Sequence, residues 1–327
     1  MASEAYPEVR VDGGAGLRVD AEASDRFGLL ARFDFSEPTA AARSIGLERL
    51  GGSVERECWR VDEPVLAGSE GRVDWWQAGE TLFLSCVQAD DGTADPAELT
   101  EVCYRDLLGL AKARGCPSLL RAWNYLPAIN RGEGDSERYR RFCLGRGHAL
   151  EALGIGETDL CAGTAIGGDD PHLRIFVLAG SRPGLHIENP RQISAYRYPR
   201  DYGPRSPSFA RATALPRADG SVLLMISGTA SVVGHKTLHA GDLDGQLEEI
   251  VVNLNALLAE SVMRLGRPGL GQFGPHSLLR VYLRRSEDWP RVARQLGQAW
   301  PDTPLVGFRG DVCRSDLMIE IEAVTAG

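Results

Sequence analysis

The sequence is short of lysine, of paired cysteine motifs and of long apolar runs, and each shortage argues against a class of protein. Its 327 residues contain no apolar run near the roughly 18 residues that a membrane span requires. The first residues, MASEAYPEVRVD, lack the basic and apolar regions of a signal peptide. The seven cysteines include no CxxC pair, which indicates reduced thiols rather than a disulfide framework. We therefore expect a soluble protein of the cytoplasm.

Several catalytic motifs are also missing. The chain has no GxSxG, HExxH or Walker sequence, which removes the main support for a serine hydrolase, a zinc protease or a P-loop enzyme. GLGQFG (269–274) matches the dinucleotide glycine pattern, but a helix precedes it and a strand follows, the reverse of the required order. His235 and His239 have a metal-like spacing within a Gly- and Asp-rich segment that is typical of a loop. We expect neither a metal nor another cofactor.

The charge composition argues against a nucleic-acid partner. The net charge is −9, so the surface lacks the basic character that phosphate backbones need. Lysine is scarce, represented by Lys112 and Lys236, and arginine supplies the other cations. Because the arginine fork binds carboxylates in a bidentate manner, this composition allows a local anion pocket inside an acidic shell.

Hydrophobic periodicity predicts the same order of elements in both halves of the chain. Asp95 as N-cap, Pro96 in the first turn and Gly115 after the last turn mark one helix clearly. Residues 1 to about 25 are predicted to be loose, and 27–80 to hold short strands and loops. Beyond them the predicted strands are 82–86, 119–126, 172–179, 222–227, 278–284 and 318–324, and the predicted helices are 96–114, 136–153, 244–265 and 286–300.

The repeated order indicates an internal duplication. LFLSC and LLMISG occupy equivalent places in the two halves, as do LLRAWNYL and LLRVYLR. The Pro- and Gly-rich span 181–207 marks the boundary. We therefore predict an α/β (α+β) protein of two similar units, each a mixed sheet packed with helices, over residues 1–185 and 186–327.

The closing segment DVCRSDLMIEIEAV (311–324) brings several reactive side chains together. Its second half alternates, which predicts a strand with Glu320 and Glu322 on one face. Cys313 and Arg314 stand just before this strand, so an acid, a thiol and a cation fall within one short segment. A solvated strand face would also explain Glu320, and the residues alone leave this alternative open.

The segment RAWNYLPAIN (121–130) is rich in side chains that bind a planar, anionic ligand. Arg121, Trp123 and Tyr125 share one face of a predicted strand. The same pattern fits a half-buried strand with an aromatic packing face. Both interpretations stay open at this point.

Two segments resemble the RidA/YjgF imine-deaminase family. They are SGTAS…GD…GQ…NLNALL (227–258) and CRSDLMIEIEAV (313–324). The resemblance implies a chorismate-mutase-like α/β fold and trimers with clefts between subunits. It also implies an acid–base role for the first glutamate of EIEA, which is Glu320.

Residues from about 80 to 327 resemble a more specific family, the chorismatases or chorismate hydrolases. The resemblance implies a degenerate RidA-like N-terminal unit fused to a catalytic RidA-like C-terminal unit. It further implies an enzyme that removes pyruvate from chorismate without a cofactor and leaves a hydroxybenzoate or an unaromatised diol. The segments that carry it are RAWNYLPAIN (121–130), ERYRRFCLGR (137–146), SPSFARA (206–212), ISGTASVVGH (226–235) and the closing CRSDLMIEIEA.

This resemblance assigns roles to particular side chains. Glu320 would protonate the enolpyruvyl ether. Cys313, seven residues earlier, marks the subgroup that forms hydroxybenzoates, above all 3-hydroxybenzoate, with or without the 4-isomer. Arg211 and Arg146 would bind the two substrate carboxylates. The other expected substrate contacts are Tyr198 and Tyr139 as hydrogen-bond partners, Tyr125 and Trp123 as walls for the ring, and Gly228 and Ala230 in the SGTAS turn.

Two other functions remain open from the sequence. An imine or enamine deaminase would need a carboxylate-binding arginine beside Glu320, for which Arg309 and Arg314 are available. A non-catalytic module would bind the same ligand without turnover. The expected partner is a small molecule, chorismate, rather than nucleic acid or membrane, and the protein is expected to be a monomer or a trimer.

Overall fold

The computed structural model describes residues 8–12, 28–35, 44–61, 63–217 and 220–327. The helices are α1 Pro96–Ala113, α2 Arg138–Ala152, α3 Leu243–Leu265 and α4 Trp289–Ala299. The strands are β1 Glu8–Asp12, β2 Gly28–Asp34, β3 Arg49–Gly52, β4 Arg56–Val61, β5 Leu66–Glu70, β6 Val73–Ala78, β7 Thr81–Ala89, β8 Ser118–Pro127, β9 Ala162–Gly168, β10 His172–Gly180, β11 Leu185–Ile187, β12 Ala212–Pro216, β13 Val222–Thr229, β14 Val232–Val233, β15 Lys236–Thr237, β16 Ser277–Leu283, β17 Leu305–Arg309, β18 Asp311–Val312 and β19 Ile319–Ala326.

Two seven-stranded sheets with the same strand order form the body of the protein. The first runs β5–β6–β7–β10–β8–β9–β18, and the second runs β11–β12–β13–β19–β16–β17–β3. Each contains one parallel pair, β8 with β9 and β16 with β17, among antiparallel neighbours. This shared order confirms the predicted pair of similar α+β units. It also places β19, which carries the two glutamates, in the middle of the second sheet.

The two sheets face each other across a shared core. α1 and α2 cover the outer face of the first sheet, where Phe142 is buried, and α3 and α4 cover the outer face of the second, where Leu254 is buried. Between the sheets, Phe176 and Tyr282 pack together with residues of a small three-stranded sheet, β1–β4–β2. Phe33 of this small sheet meets Phe176 with ring centroids 5.3 Å apart. The inner face of β19 therefore points into the protein.

Most of the predicted elements are present, with small changes at their ends. α1 begins after Asp95, whose side chain accepts a hydrogen bond of 2.9 Å from the backbone amide two residues on. α4 starts at Trp289, because Ser286–Asp288 first form a short 3-10 turn. Pro268–Gly271 also form a 3-10 turn, which agrees with the loop interpretation of GLGQFG.

Each large sheet is completed by a strand from the other half of the chain. β3 pairs antiparallel with β17 of the second sheet. β18 pairs antiparallel with β9 of the first sheet. Edge strands therefore cross the expected boundary between 1–185 and 186–327 in both directions.

The N-terminal region differs in one respect from the prediction. Glu8–Asp12, expected to be loose, form β1 and pair with β4, while the rest of 1–25 lies outside the described residues. The region 27–80 contains the expected short strands. Among the helices in the described ranges, none combines the length and the apolar character that crossing a bilayer requires.

Candidate active site

A cavity of about 320 Å³ lies between the two halves of the chain, beside the inner face of β19. α2 and β9 supply its walls from the first half, and β13, β19 and segments within 192–211 and 313–317 supply them from the second. Side chains distant in sequence are thus gathered around a space that suits a small molecule. The predicted site residues that line it are Tyr139, Arg146, Tyr198, Arg211, Gly228, Ala230, Cys313 and Glu320.

The Glu320 carboxyl faces this cavity without a partner. The residue is 5% exposed, and its side chain forms no hydrogen bond or ion pair within the described part of the chain. Burial, followed by the negative charge of Glu322, raises the pKa of Glu320 to about 8, although Arg121, Arg211 and Arg314 act in the opposite direction. At neutral pH the carboxyl is therefore mostly protonated and can donate a proton.

A bulge in β13 makes room for this acid. The register between β13 and β19 shifts between Ile226 and Thr229, which leaves Gly228 against the Glu320 carboxyl. Thr164 Oγ1 accepts a hydrogen bond of 3.1 Å from the Gly228 amide and so ties the bulge to β9. Glycine is therefore required at this position of the SGTAS turn, because a side chain would collide with the Glu320 carboxyl.

The Glu322 carboxyl contacts buried cations and an indole N–H. Arg121 Nη2 donates to Glu322 Oε2 at 2.5 Å, and Trp123 Nε1 donates to Oε1 at 3.1 Å. Arg280 Nη1 lies 3.4 Å from the same Oε1. The negative charge of Glu322 disfavours a second negative charge at Glu320 on the same strand face.

Two buried arginines at the cavity have no carboxylate partner among the described residues. Arg146 Nε and Nη2 have no hydrogen-bond acceptor there. Arg211 Nη2 donates to Tyr198 Oη at 2.8 Å and to the Ile193 carbonyl at 2.9 Å, but its Nε has no acceptor. A buried guanidinium without an anion is costly, so these two cations indicate an anionic ligand.

A third arginine, Arg314, lines the cavity from the segment before β19. Its guanidinium lies 4.3 Å from the ring centre of Tyr202 and 5.4 Å from that of Tyr198. Its Nη1 donates to the His235 carbonyl at 2.9 Å. His235 lies in the turn between β14 and β15, which agrees with its predicted loop position. In the described ranges, no group of three or more His, Cys, Asp or Glu side chains is arranged to hold a metal ion.

Two thiols and a phenol share the cavity with the acid. Burial raises the pKa of the Cys313 thiol, and the nearby Glu320 charge adds to the rise. Burial also raises the pKa of Cys143 to about 12 and moves the pKa of Tyr139 well above its usual value. All three groups are therefore protonated at neutral pH and act as hydrogen-bond donors rather than as nucleophilic anions.

Trp123 and Tyr125 lie in the core and not among the residues that line the cavity. The Trp123 and Trp59 rings meet edge to face with centroids 5.6 Å apart, and Tyr125 Oη lies 3.2 Å from Tyr282 Oη. Strand alternation placed both side chains on the inner face, but the second sheet and the small sheet cover that part of it. The structure gives them a packing role in place of the expected contact with the substrate ring.

Cys143, Thr164 and Tyr202 are among the cavity residues that were not singled out from the sequence. Cys143 lies one helical turn after Tyr139, so the i, i+4 spacing was a signal that could have found it. Thr164 lies in β9, AGTAIGG, whose small residues carry no chemical signal. Tyr202 belongs to a short 3-10 turn in the connection between the units, where periodicity is not informative.

The register of the two sheets shows that the first unit lacks a matching acid. LLRVY of β16 places Tyr282 opposite Glu320. The corresponding LLRAW of β8 places Trp123 opposite Phe176. An apolar ring thus occupies the place of the acid in the first unit.

Comparison with known proteins extends the likeness over nearly the whole chain. Residues 57–179 match the family model described as "Chorismatase FkbO/Hyg5-like, N-terminal". The chain is 38% identical over 279 residues to a 3-hydroxybenzoate synthase of Streptomyces hygroscopicus, covering 82% of this chain and 80% of that protein. A chorismatase of the same organism is 35% identical over 274 residues, covering 83% and 79%. The crystal structure of a chorismatase matches with a TM-score of 0.83 at 30% identity, over 99% of this chain and 100% of that one. The chain belongs to the chorismatase family.

Proposed function

We propose that Glu320 is the acid with which this protein cleaves chorismate to pyruvate and a hydroxybenzoate. One observation carries the proposal: the Glu320 carboxyl has no partner among the described residues, its pKa is raised to about 8, and it faces a cavity whose Arg146 and Arg211 have no carboxylate partner among those residues. Chorismate offers the complementary groups, which are two carboxylates and an acid-labile enol ether.

The first chemical step puts a proton on the methylene carbon of the enolpyruvyl group. Glu320 donates that proton, and the ether carbon becomes an oxocarbenium ion. Water or the ring hydroxyl then adds to the ether carbon. The water adduct, a hemiketal, collapses to pyruvate and a ring hydroxyl, whereas the cyclic ketal formed by the ring hydroxyl releases pyruvate only after water adds. The proton lost by the attacking hydroxyl or water returns to the Glu320 carboxylate. A glutamate in water is ionised at neutral pH, so burial is what makes this acid available.

Arg146 and Arg211 are the proposed partners of the substrate carboxylates. Arg146 enters the cavity from α2, and Arg211 enters from the segment before β12, where Tyr198 orients it. A bound carboxylate would supply the acceptors that the buried nitrogens of both guanidinium groups lack. Gly228 and Ala230 leave the space beside Glu320 free, and Tyr139 offers a neutral hydrogen-bond donor.

Cys313 is the proposed determinant of the aromatic product. As a neutral thiol beside Glu320, it can donate a hydrogen bond to the ring oxygen that leaves or bridges during aromatisation. Hydrolysis consumes one water and aromatisation releases one, so chorismate divides into pyruvate and hydroxybenzoate without another reactant. The relative at 38% identity is named a 3-hydroxybenzoate synthase, which supports 3-hydroxybenzoate as the product.

The test is incubation of purified protein with chorismate, with pyruvate measured enzymatically and the ring product identified by chromatography. The unchanged protein is expected to release pyruvate and 3-hydroxybenzoate in equal amounts. Glu320→Gln is expected to lose activity by about 10³-fold, the usual scale for removing a general acid, with unchanged circular dichroism. A folded Glu320→Gln variant with most of its activity contradicts the assignment.

The same assay separates the alternatives. An unaromatised diol would identify a diol-forming hydrolase. Chorismate binding in calorimetry without pyruvate release would identify a binding module. Faster keto-acid release from the imines that an amino-acid oxidase produces would identify a deaminase.

Assembly and location complete the proposal. The cavity takes walls from both halves of a single chain, so we expect a monomer to be active, and trimer formation would leave the site unchanged. All seven cysteines are free, which fits the reducing cytoplasm. Neither nucleic acid nor a membrane is part of the proposed function.

A further inference from the structure

A second buried ion pair continues the charge network beyond Glu322. Arg280 Nε and Nη2 lie 2.8 Å and 2.7 Å from Glu57 Oε2, while Arg280 Nη1 lies 3.4 Å from Glu322 Oε1. Glu57 and Arg280 are each 2% exposed. Glu57 belongs to β4, in the small three-stranded sheet and in neither large sheet. The network therefore joins a third structural part of the protein to the strand that carries the acid.

From Glu322 the contacts run on to the acid itself. Arg121 Nη2, which holds Glu322, also donates to Thr164 Oγ1 at 2.6 Å. Thr164 in turn accepts the Gly228 amide, and Gly228 touches the Glu320 carboxyl. The connected path is Glu57, Arg280, Glu322, Arg121, Thr164, Gly228 and Glu320.

The charges of this network balance without Glu320. Glu57 and Glu322 are two anions, and Arg280 and Arg121 are two cations. An ionised Glu320 would add an unbalanced negative charge to a buried region, where charge interactions are several times stronger than in water. If Glu57 were neutral, the cations would be in excess and the ionised form of Glu320 would become more favourable.

We propose that Glu57 and Arg280 are positioning residues of the reaction, which balance the buried charges around Glu322 so that the Glu320 carboxyl stays protonated. The inference rests on the acid role proposed for Glu320. The small three-stranded sheet contributes none of the described residues that line the cavity. Its proposed role is instead to contribute, through Glu57, to the electrostatic environment of the Glu320 carboxyl.

Other titratable and charged groups surround Glu320, and the variants below leave them unchanged. The tyrosine and the thiols are neutral around neutral pH because burial raises their pKa values. The arginines stay cationic at all accessible pH values. These groups are Glu322 on β19, Arg121 on β8, Tyr139, Cys143 and Arg146 on α2, Arg211 before β12, and Cys313 and Arg314 before β19.

The test compares the pH dependence of kcat/KM with chorismate in four variants. Glu57→Gln keeps the size of the side chain and removes its charge. The decline of kcat/KM at high pH, here called the alkaline limb, is therefore expected to move to lower pH by about one unit. Glu57→Asp keeps the charge and is expected to keep the limb. Glu57→Gln combined with Arg280→Met removes one anion and one cation, so the alkaline limb is expected to return to its pH in the unchanged protein. The control, Glu80→Gln, removes a charge of an exposed pair with Arg182 and should leave the limb in place.

The double variant separates charge balance from structural support. If the two residues had only a structural role, losing both would disturb the alkaline limb at least as much as losing Glu57 alone. A folded Glu57→Gln with an unshifted limb overturns the proposal, as does a folded double variant whose limb stays shifted. If Glu57→Gln alone does not fold, the double variant still tests the proposal, because the proposal requires its alkaline limb to lie at the same pH as in the unchanged protein. Activity retained in Glu320→Gln would instead refute the proposed acid, which is a separate result.

Discussion

A β-carbon on Gly228 would lie 1.9 Å from Oε1 of Glu320. The bulge in β13 and the acid on β19 thus occupy one space that no larger residue can share. The burial that keeps Glu320 protonated depends on this absence of a side chain.

Gly228→Ala is expected to lower kcat/KM for chorismate by about 100-fold, because displacement of a catalytic group by roughly 1 Å has an effect of that size. Steady-state pyruvate release measures it. Gly109→Ala in α1, where an added β-carbon meets nothing within 4 Å, is the matched control and should keep full activity. Equal rates for the two variants would contradict the steric argument.

Activity is expected to fall at alkaline pH. Only the protonated form of Glu320 can donate a proton, and its pKa is raised to about 8. We therefore expect kcat/KM to be constant from about pH 6 to 7 and to decline toward tenfold per unit above about pH 8. A rate that increases from pH 7 to pH 9 would be incompatible with a carboxylic acid in this role.

The same pKa shift predicts a pH-dependent gain in stability for Glu320→Gln. In the unfolded chain Glu320 ionises near 4.5, whereas the folded protein retains the proton up to about pH 8. The folded state therefore binds more protons between these values, and stability falls as pH rises through that window. Relative to the unchanged protein, the variant should gain a few kcal/mol between pH 4.5 and pH 9, at about 1.4 kcal/mol per unit. Urea unfolding at both pH values measures this gain, and a pH-independent difference would refute it.

Arg146→Met is expected to weaken substrate binding without destabilising the fold. Loss of a charge-assisted contact of about 1.5–3 kcal/mol should raise KM by about 10- to 100-fold. Its removal leaves no buried anion behind, because Arg146 has no carboxylate partner within the described residues. Arg138→Met is the comparison: Arg138 pairs with buried Asp90 at 2.5 Å, so its loss should cost about 3–5 kcal/mol of unfolding free energy. Comparable destabilisation in both variants would count against an open anion site.

Cys313→Ala is expected to shift the product from hydroxybenzoate toward the unaromatised diol, while pyruvate is still released. Loss of the thiol leaves Glu320 in place, so ether cleavage continues without assistance to aromatisation. Chromatography of the ring products measures the ratio. Cys116→Ala removes a buried thiol away from the cavity lining and should leave the ratio unchanged. An unaltered profile in Cys313→Ala would refute the role of the cysteine.

Local signals in the sequence were sufficient for the helices and for β19. Asp95 and the alternation around Glu320 are short-range features, and the structure keeps both. The small three-stranded sheet could not be foreseen, because β1, β2 and β4 are joined by pairings that no local pattern specifies.

The candidate site shows the same limit. Family resemblance selected ten site residues, and eight of them line the cavity. Strand alternation alone could not tell which part of an inner strand face borders the cavity. Trp123 and Glu320 both point inward, yet one is covered by the packing of three sheets and the other faces a cavity. Thr164 links Arg121 to Gly228. This role could not be predicted from the sequence, because it depends on β9 lying beside β13.

The pairing of β3 and β18 with strands of the other half has a consequence for separating the two halves. Cutting the polypeptide in the connection 181–207 would produce two fragments that each lack an outer strand, with the backbone of β9 and β17 left unpaired. Unpaired strand edges of this kind can pair with other chains and so favour aggregation. Each half therefore protects a sheet edge of the other, and either half produced alone is expected to aggregate.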